Sequence, residues 1–351
     1  MLAAAGLGLA ALGACGGDDS SSDSDDYSVV GGLEQLPEST LDDGYLIQTA
    51  DLATASDLSG LDRPDPDADF DEASDWLLHI DGAIQSDDED APTVSGLLPE
   101  AANRQELQQI DEFRDEVGWT VLGVDHYVEV SLPPDRFTVM AGDFDTDALD
   151  DALGEADDGV WTLGDGDDYE VSIEDRSAAR PLGETLHLAE QDGRLAVSKS
   201  SRQIEDWVDG DGDTVAGDDA IHAVGAALDD QDVYAAMILD GEPLIADGDD
   251  ALEPFDVLGL GLTLDDDQPR AVFVYHFGDE GDAEDAADGI EAAFEDGVSL
   301  RTAAPISDFF EDPEVTVDGA TVTVVADLAR DLAAGRIWQF AFTQDLITSH
   351  R

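Results

Sequence analysis

The sequence predicts an α+β fold, built as two packed lobes of mixed or antiparallel sheet with helices on one face. Two observations predict this class. Apolar strands run repeatedly into Asp or Ser and then into a helix with Ala/Leu spacing, and hairpins lie between these units. Hairpins mixed with strand-to-helix units favour antiparallel or mixed sheets with helices on one side. The units are split βαβ-like repeats without the fixed period of a solenoid.

The strand-to-helix unit is expected five times along the chain. The acidic or hydroxyl residue at each junction predicts a helix N-cap, because its side-chain oxygen accepts a backbone N–H that the helix leaves free. Acidic first turns also suit the positive end of the helix dipole. The predicted strand and helix pairs are 45–49 with 51–55, 137–141 with 143–149, 194–198 with 201–208, 271–275 with 283–295, and 321–325 with 327–332.

Turn residues predict three hairpins between these units. Asp318-Gly319 between two apolar runs favours a type I′ turn, and Gly193 marks the turn between 185–189 and 195–197. Residues 257–264 are expected to pair with 270–277. Apolar residues at helical spacing predict further helices, and alternation followed by Pro-Pro predicts a strand. These segments are the helices 71–80 and 103–117 and the strand 127–132.

The charge composition is extreme. The chain has 86 Asp and Glu against 14 Lys and Arg, a formal charge of −72, and Lys199 is its only lysine. With 42% hydrophobic residues it still has enough apolar content to build a core. Self-repulsion this strong is screened over about 3 Å in molar salt, so the composition indicates adaptation to a saline, halophilic setting. It argues against nucleic-acid partners and against attachment to anionic membranes through a basic face.

Leu12-Gly13-Ala14-Cys15 closes an uncharged apolar opening and precedes a polar run. These four residues resemble the lipobox of bacterial and some archaeal lipoproteins, which implies diacylglycerol on the Cys15 thiol and cleavage before it. The opening has the length of a signal-peptide apolar region and is shorter than the roughly 20 residues of a membrane-spanning helix. Cys15 is the only cysteine, so no intrachain disulfide is expected. The alternative interpretation is a buried N-terminal helix with a chance cysteine.

This resemblance sets the predicted organisation and location. No Lys or Arg precedes the apolar opening, where a working signal has a basic region, so we expect a truncated or misassigned start. The lipid on Cys15 would hold the protein at the cell membrane, on its extracytoplasmic face. The joint between the lobes is expected at 209–213, which is rich in Gly and Asp. The predicted parts are a signal peptide (1–14), a disordered acidic tether (15–30), a first lobe (31–210) and a second lobe (211–351).

The chain is similar to uncharacterised lipoproteins of high-GC Gram-positive, actinobacterial type. The similarity is carried above all by the strand 137–141, the following Gly142-Asp143-Phe144-Asp145, and the helix and hairpin after them. The likeness covers most of the mature chain and is diffuse. It implies location and fold, and it implies no activity.

The motifs that carry chemistry are few. Asp209, Asp211 and Asp213 alternate as calcium ligands do, but the loop has Thr214 and Ala220 where an EF-hand needs Gly and Glu. With a quarter of residues acidic, such alternation arises by chance, so we expect a polar loop between the lobes, no confident metal site and no cofactor, with Ca²⁺ as the alternative. The six histidines lack ligand spacing, and the tryptophans lie beside apolar runs that favour core packing. They are His79, His126, His187, His222, His276 and His350, and Trp76, Trp119, Trp161, Trp207 and Trp338.

No catalytic residue emerges. The chain lacks a nucleophile elbow, a serine–lysine pair, a dinucleotide-binding fingerprint and a P-loop. Gly259 and Gly261 lie in an apolar strand, where they favour a bulge or close packing over a phosphate cradle. The sequence therefore predicts a non-enzymatic lipoprotein that binds an envelope protein or a small ligand in a groove between its lobes. The alternative is an extracellular carboxylate- or metal-dependent hydrolase.

Overall fold

One antiparallel sheet organises the molecule, and the predicted α+β class is confirmed. The computed structural model describes residues 27–82, 94–102, 109–210, 212–241, 254–265, 268–299, 301–330 and 332–342. The predicted signal peptide, the lipobox with Cys15 and most of the predicted tether lie outside the described residues.

The strands follow one another in the sheet in the order β10-β11-β9-β8-β7-β1-β2-β3-β6-β5-β4. Every ladder between neighbouring strands is antiparallel. Their bounds are β1 Leu46–Asp51, β2 Val124–Leu132, β3 Asp135–Gly142, β4 Val160–Leu163, β5 Leu186–Gln191, β6 Arg194–Ser198, β7 Ala235–Asp240, β8 Val257–Asp265, β9 Gln268–His276, β10 Phe310–Asp318 and β11 Thr321–Leu328.

Helices pack on both faces of this sheet, where the sequence led us to expect one face. Their bounds are α1 Val29–Leu33, α2 Leu52–Ser59, α3 Phe70–Ile80, α4 Ile110–Val117, α5 Thr146–Leu153, α6 Ser201–Asp209, α7 Asp219–Asp229, α8 Glu280–Asp296 and α9 Arg336–Phe342. We call the side covered by α2, α3, α4, α5, α8 and α9 the front face, and the side covered by α1, α6 and α7 the back face. The reason is the composition of the central strands: β9 buries Phe273 and Tyr275 in front and Val272 and Val274 behind. A strand buried on both sides needs a cover on both sides.

The sheet is continuous across the boundary predicted between the two lobes. Strand β1, from the first predicted lobe, pairs with β7 of the second, from Leu46 opposite Leu239 to Ala50 opposite Ala235. The expectation of two packed lobes with separate sheets is therefore replaced by a single sheet shared by both parts. The physical reason is that β1 and β7 are both buried apolar strands whose backbone groups must pair on each edge.

Four of the five predicted strand-to-helix units form with side-chain N-caps. Asp51 caps α2, Asp145 caps α5, Ser200 caps α6 and Asp279 caps α8. No helix is present at residues 327–330 or 332 of the predicted helix 327–332, and residue 331 lies outside the described residues. Asp327 instead belongs to β11 and pairs with Arg270 of the neighbouring strand, at 3.0 Å between Oδ1 and Nε.

The three hairpins form, with one difference in turn type. Asp192 and Gly193 both have positive φ, as a type I′ turn requires. In the last hairpin Asp318 pairs with Thr321, so the turn residues are Gly319 and Ala320, and of these Gly319 alone has a positive φ. That pattern is typical of type II′, where Gly takes the first central position, and the predicted type I′ turn is wrong.

The glycines of β8 allow α7 to lie close to the sheet, as predicted. A Cβ added to Gly259 would lie 2.5 Å from Val224 Cγ1, and one added to Gly261 would lie 3.0 Å from Leu228 Cδ2, both on α7. The predicted helix 71–80 is confirmed as α3; the predicted helix 103–117 is confirmed over α4, and its start at 103–108 lies outside the described residues. Among the described helices, none combines the length and apolar character needed to cross a bilayer.

Candidate functional site

The calcium candidate is the end of a helix and the connection that follows. Asp209 is the last residue of α6, and Gly210 caps the helix in the left-handed conformation. The backbone carbonyl of Asp213 accepts a hydrogen bond from Glu38 N, and Asp211 lies outside the described residues. Within the described part of the chain, no group of three or more His, Cys, Asp or Glu side chains is arranged to hold a metal ion.

The histidines of the described residues lie apart from one another. His79 is on α3, His222 on α7, and His276 on β9 contacts the Thr321 hydroxyl. His126 packs edge-on against Tyr27, and His350 lies outside the described residues. The tryptophans behave as predicted for core residues: Trp76, Trp119, Trp161 and Trp338 are buried, and Trp207 packs partly buried on the back core.

His187 is buried and contacts the Thr162 hydroxyl and the Asp168 carboxylate. Its Nδ1 lies 3.2 Å from Thr162 Oγ1, and its Nε2 lies 3.0 Å from Asp168 Oδ1. Asp168 Oδ2 accepts hydrogen bonds from the backbone and the hydroxyl of Ser201, at the start of α6. Desolvation raises the pKa of Asp168, but the hydrogen bonds from Ser201 and His187 outweigh it and hold this pKa below its ordinary value.

One described cavity with both ionic and apolar walls lies on the front face, and we call it the ion-paired pocket. Its volume is about 220 Å³. Its ionic walls are Glu100, Arg136, Arg180, Glu184 and Lys199. Its apolar walls are Ala101, Ala179, Pro181, Leu182, Leu186 and Val197.

Strand pairing brings the pocket's cations together from distant parts of the chain. In the β3–β6 ladder Phe137 lies opposite Ser198, so Arg136 and Lys199 follow at the next register position. Arg180 arrives on the long connection 164–185 between β4 and β5. Three of the chain's 14 cations, including its only lysine, therefore line one small pocket.

Each cation of the pocket has a glutamate partner. The Lys199 ammonium pairs with Glu184, and the Arg136 guanidinium pairs with Glu100. Arg180 Nε lies 3.6 Å from Glu116 Oε1, beyond hydrogen-bond reach. The Nε atoms of Arg136 and Arg180 are both buried without a hydrogen-bond partner. The cations around the pocket are thus paired with carboxylates, and the two Nε atoms lie near carboxylates without a hydrogen bond.

Glu129 lies directly behind the pocket and is 1% exposed. Its Oε2 accepts hydrogen bonds from Thr138 Oγ1 at 2.7 Å and from Ala101 N at 3.3 Å. Its Oε1 lies 3.8 Å from Arg136 Nε and has no hydrogen-bond partner. Desolvation raises the pKa of Glu129 above its ordinary value, although Arg136 and the Thr138 hydrogen bond oppose that shift.

The connection 164–185 forms the outer wall of the pocket. Glu116 of α4 holds it by accepting hydrogen bonds from the Ser177 hydroxyl and from Ala179 N. Gly183 has a positive φ, and a Cβ there would overlap the Ser172 carbonyl oxygen, so the crossing of this connection over itself requires glycine. Asp168, on the same connection, fastens it to α6 and β5.

The same connection exposes three apolar side chains, of which Leu182 lines the pocket. Val171, Ile173 and Leu182 are all largely exposed, Ile173 at 67%. The Ser172 backbone N–H donates to the Leu182 carbonyl, which places these three side chains near one another. Exposed apolar groups beside a cavity are typical of an interaction site.

The ion-paired pocket does not lie between the two predicted lobes. All its lining residues lie between 100 and 199, within the first predicted lobe. An open acidic groove of about 1040 Å³ does lie between residues of the two predicted lobes, lined in part by Asp42 of the first and by Asp218, Asp240 and Asp256 of the second. The charged residues that line it are all carboxylates, so it lacks the mixture of charges found in the ion-paired pocket.

Sequence reasoning missed the residues of the ion-paired pocket. Its cations are separated by 44 and 19 positions in the sequence, from Arg136 to Arg180 and on to Lys199. One feature of the sequence could have indicated the pocket. Lys199 is the only lysine of the chain, and it directly follows an apolar strand.

The chain was compared with family models, curated sequences and solved structures. No protein-family model matches it, and no curated protein sequence matches it. Among solved structures, crystal forms I, III and IV of TP0453 are similar, with identities of 8%, 9% and 10% and TM-scores of 0.41, 0.39 and 0.40. These alignments cover 88%, 88% and 87% of this chain and 97%, 98% and 96% of the other.

Proposed function

We propose that this chain is a lipid-anchored binding protein of the extracytoplasmic membrane surface, and that the ion-paired pocket holds a small ligand. The observation that carries the proposal is the convergence of Arg136, Arg180 and Lys199 on one cavity in a chain of charge −72. Solvated surface in such a chain is occupied mainly by carboxylates. Cations gathered around an apolar cavity therefore point to recognition of something that enters it.

The size of the cavity favours a small molecule over a lipid. About 220 Å³ corresponds to roughly seven water volumes, which is the scale of a single amino acid or a short organic acid. The apolar walls would hold the body of the ligand, and the ionic walls would orient its polar groups.

Binding is favoured over hydrolysis by the position of the perturbed carboxylate. A carboxylate-dependent hydrolase needs an acid and a base within reach of the substrate. Glu129 has a raised pKa, but its Oε1 is buried and its Oε2 is occupied by Thr138 and Ala101. We propose no catalytic residue and no metal cofactor for this chain.

The pocket is tested by native mass spectrometry of the intact protein purified from its own membrane fraction. Ala179→Leu fills the pocket, and Leu182→Trp closes its rim. Ala141→Leu is the matched control, because Ala141 lines a separate cavity of about 170 Å³ on the back face. We expect a small molecule to be carried by the parent and by Ala141→Leu and to be lost from both pocket variants. Equal retention in all variants would contradict the assignment.

The anchor is tested separately. Cys15→Ala removes the only thiol that could carry the diacylglycerol, so we expect the protein to move from the membrane fraction to the aqueous fraction. If Cys15→Ala stays in the membrane fraction, the proposal of a lipid anchor on Cys15 is wrong, and the assignment of the pocket is unaffected.

A further inference from the structure

We infer that the ligand of the ion-paired pocket is a zwitterion with an apolar body, on the scale of an aliphatic amino acid. The inference rests on the proposed function and adds the chemical class of the ligand. It is drawn from the charges of the walls, their apolar side chains and the volume.

Charges of both signs face the cavity. Arg136, Arg180 and Lys199 oppose a purely cationic ligand, whereas Glu100 and Glu184 oppose a purely anionic one. A neutral apolar ligand would leave these ion pairs against an uncharged surface and would cost them part of their solvation. A ligand with one positive and one negative end meets both sets of groups.

Two ion pairs in the pocket wall offer an oppositely charged group to each end of a zwitterion. Lys199 with Glu184 and Arg136 with Glu100 form two ion pairs that lie at the pocket surface and retain partial exposure. A carboxylate entering beside Lys199 and an ammonium entering beside Glu184 would each gain a partner of opposite charge. The wall stays neutral overall, so little charge is buried without compensation.

Three cations of the wall mark the negative end of the ligand. Arg136, Arg180 and Lys199 all line the cavity, while the buried Nε atoms of the two arginines lie near Glu129 and Glu116. Arginine side chains bind carboxylates with well-defined geometry, and a ligand carboxylate beside these guanidinium groups and Lys199 would meet three positive charges. The aliphatic body would then lie against Leu182, Leu186 and Val197.

The single lysine permits a direct test. Reductive methylation with ¹³C-formaldehyde labels Lys199 and keeps its positive charge, so one lysine resonance reports on the pocket. The probes are leucine as the zwitterion, leucinamide as the cation and 4-methylpentanoate as the anion, which share one aliphatic body. We expect leucine to shift the Lys199 resonance and to bind at least tenfold more tightly than either singly charged analogue.

Two pocket variants separate the ends of the ligand by calorimetry on unlabelled protein. Lys199→Gln should weaken leucine and the anion while sparing the cation, and Glu184→Gln should weaken leucine and the cation while sparing the anion. Arg202→Gln is the matched control, because Arg202 is 81% exposed and lies outside the pocket. Binding of the anion as tightly as leucine would overturn the zwitterion assignment.

The outcomes distinguish this inference from the function on which it rests. If native mass spectrometry shows a ligand that Ala179→Leu expels, and leucine leaves the Lys199 resonance unmoved, the zwitterion is wrong and the binding function stands. If no ligand is expelled and none of the three probes moves the resonance, both proposals fail.

Discussion

The Asp229 carboxylate, at the end of α7, accepts hydrogen bonds from the backbone N–H groups of the residues that begin α1. Its Oδ1 lies 2.6 Å from Val29 N, and its Oδ2 lies 3.0 Å from Val30 N, across 200 residues of sequence. The first N–H groups of a helix have no partner inside the helix. The Asp229 carboxylate therefore adds a tertiary cap to the local one, in which Ser28 Oγ accepts a hydrogen bond from Gly31 N. It fastens to the back face the helix that follows the predicted tether.

Asp229→Ala should release α1 from α7. We expect a loss of about 1–2 kcal/mol in the free energy of unfolding, since two capping hydrogen bonds are removed. The measurement is urea denaturation together with amide hydrogen exchange at Val29 and Val30, which should become faster. Asp230→Ala removes the same charge from the neighbouring exposed position and is the control. Equal effects of the two variants would contradict the docking role.

Glu129→Gln should change how stability depends on pH. Desolvation raises the pKa of Glu129 in the folded state, so the folded protein holds this proton more tightly than the unfolded chain does. Its contribution is therefore fully present below the ordinary pKa of 4.5 and is lost as pH rises through the raised value.

The glutamine keeps a neutral hydrogen-bonding side chain beside Thr138, so the stability of Glu129→Gln relative to the parent should increase as pH rises above the ordinary pKa of 4.5. Thermal denaturation at several pH values checks this, and Glu174→Gln, at an exposed position of the connection 164–185, controls for the loss of one charge. A constant difference between Glu129→Gln and Glu174→Gln across this range would show that Glu129 does not titrate as described.

Gly259→Ala should separate α7 from the sheet. The added methyl group would lie 2.5 Å from Val224 Cγ1 and 3.1 Å from Leu228 Cδ1, both on α7. Overpacking of this kind costs about 1–3 kcal/mol. Gly217→Ala is the control, because a Cβ there meets nothing within 4 Å. If urea denaturation gives the two variants the same midpoint, the close approach of α7 to β8 is wrong.

Salt should stabilise the protein strongly. At a formal charge of −72, the folded state carries a large self-repulsion that added ions screen. We expect the melting temperature to rise steeply as NaCl increases towards molar concentrations. A flat response would contradict the interpretation of the composition as an adaptation to salt.

Local chemistry explains which parts of the fold were predictable. N-caps, turn residues and apolar periodicity depend on neighbours in sequence, and they located β1 with α2, β6 with α6 and the hairpin around Asp192-Gly193. The helix predicted after β11 failed because Asp327, which has the type of a cap residue, is held by Arg270 on the next strand. Such a partner is invisible in a local pattern.

Which faces of the sheet are covered and where the pocket lies could not be predicted for a related reason. Both depend on contacts between residues that are far apart in the sequence. The continuous apolar run of β9 is compatible with burial on one side or on both, and only the positions of α7 and α8 decide between them. The pocket depends on a β3–β6 ladder and on the connection 164–185, which bring Arg136, Arg180 and Lys199 together. Neither the ladder nor the connection can be recognised from the spacing of these three residues in the sequence.

The β1–β7 ladder makes the order of synthesis matter for folding. Its partners are about 190 residues apart, so one edge of β1 has no neighbour until the chain has been made as far as Asp240. Contacts at such separation slow folding, and an unpaired strand edge invites association with other chains. Residues 31–210 made alone would therefore present β1 as an open edge and aggregate. A chain cut near 210 after folding would stay in one piece, because the ladder holds its two fragments together.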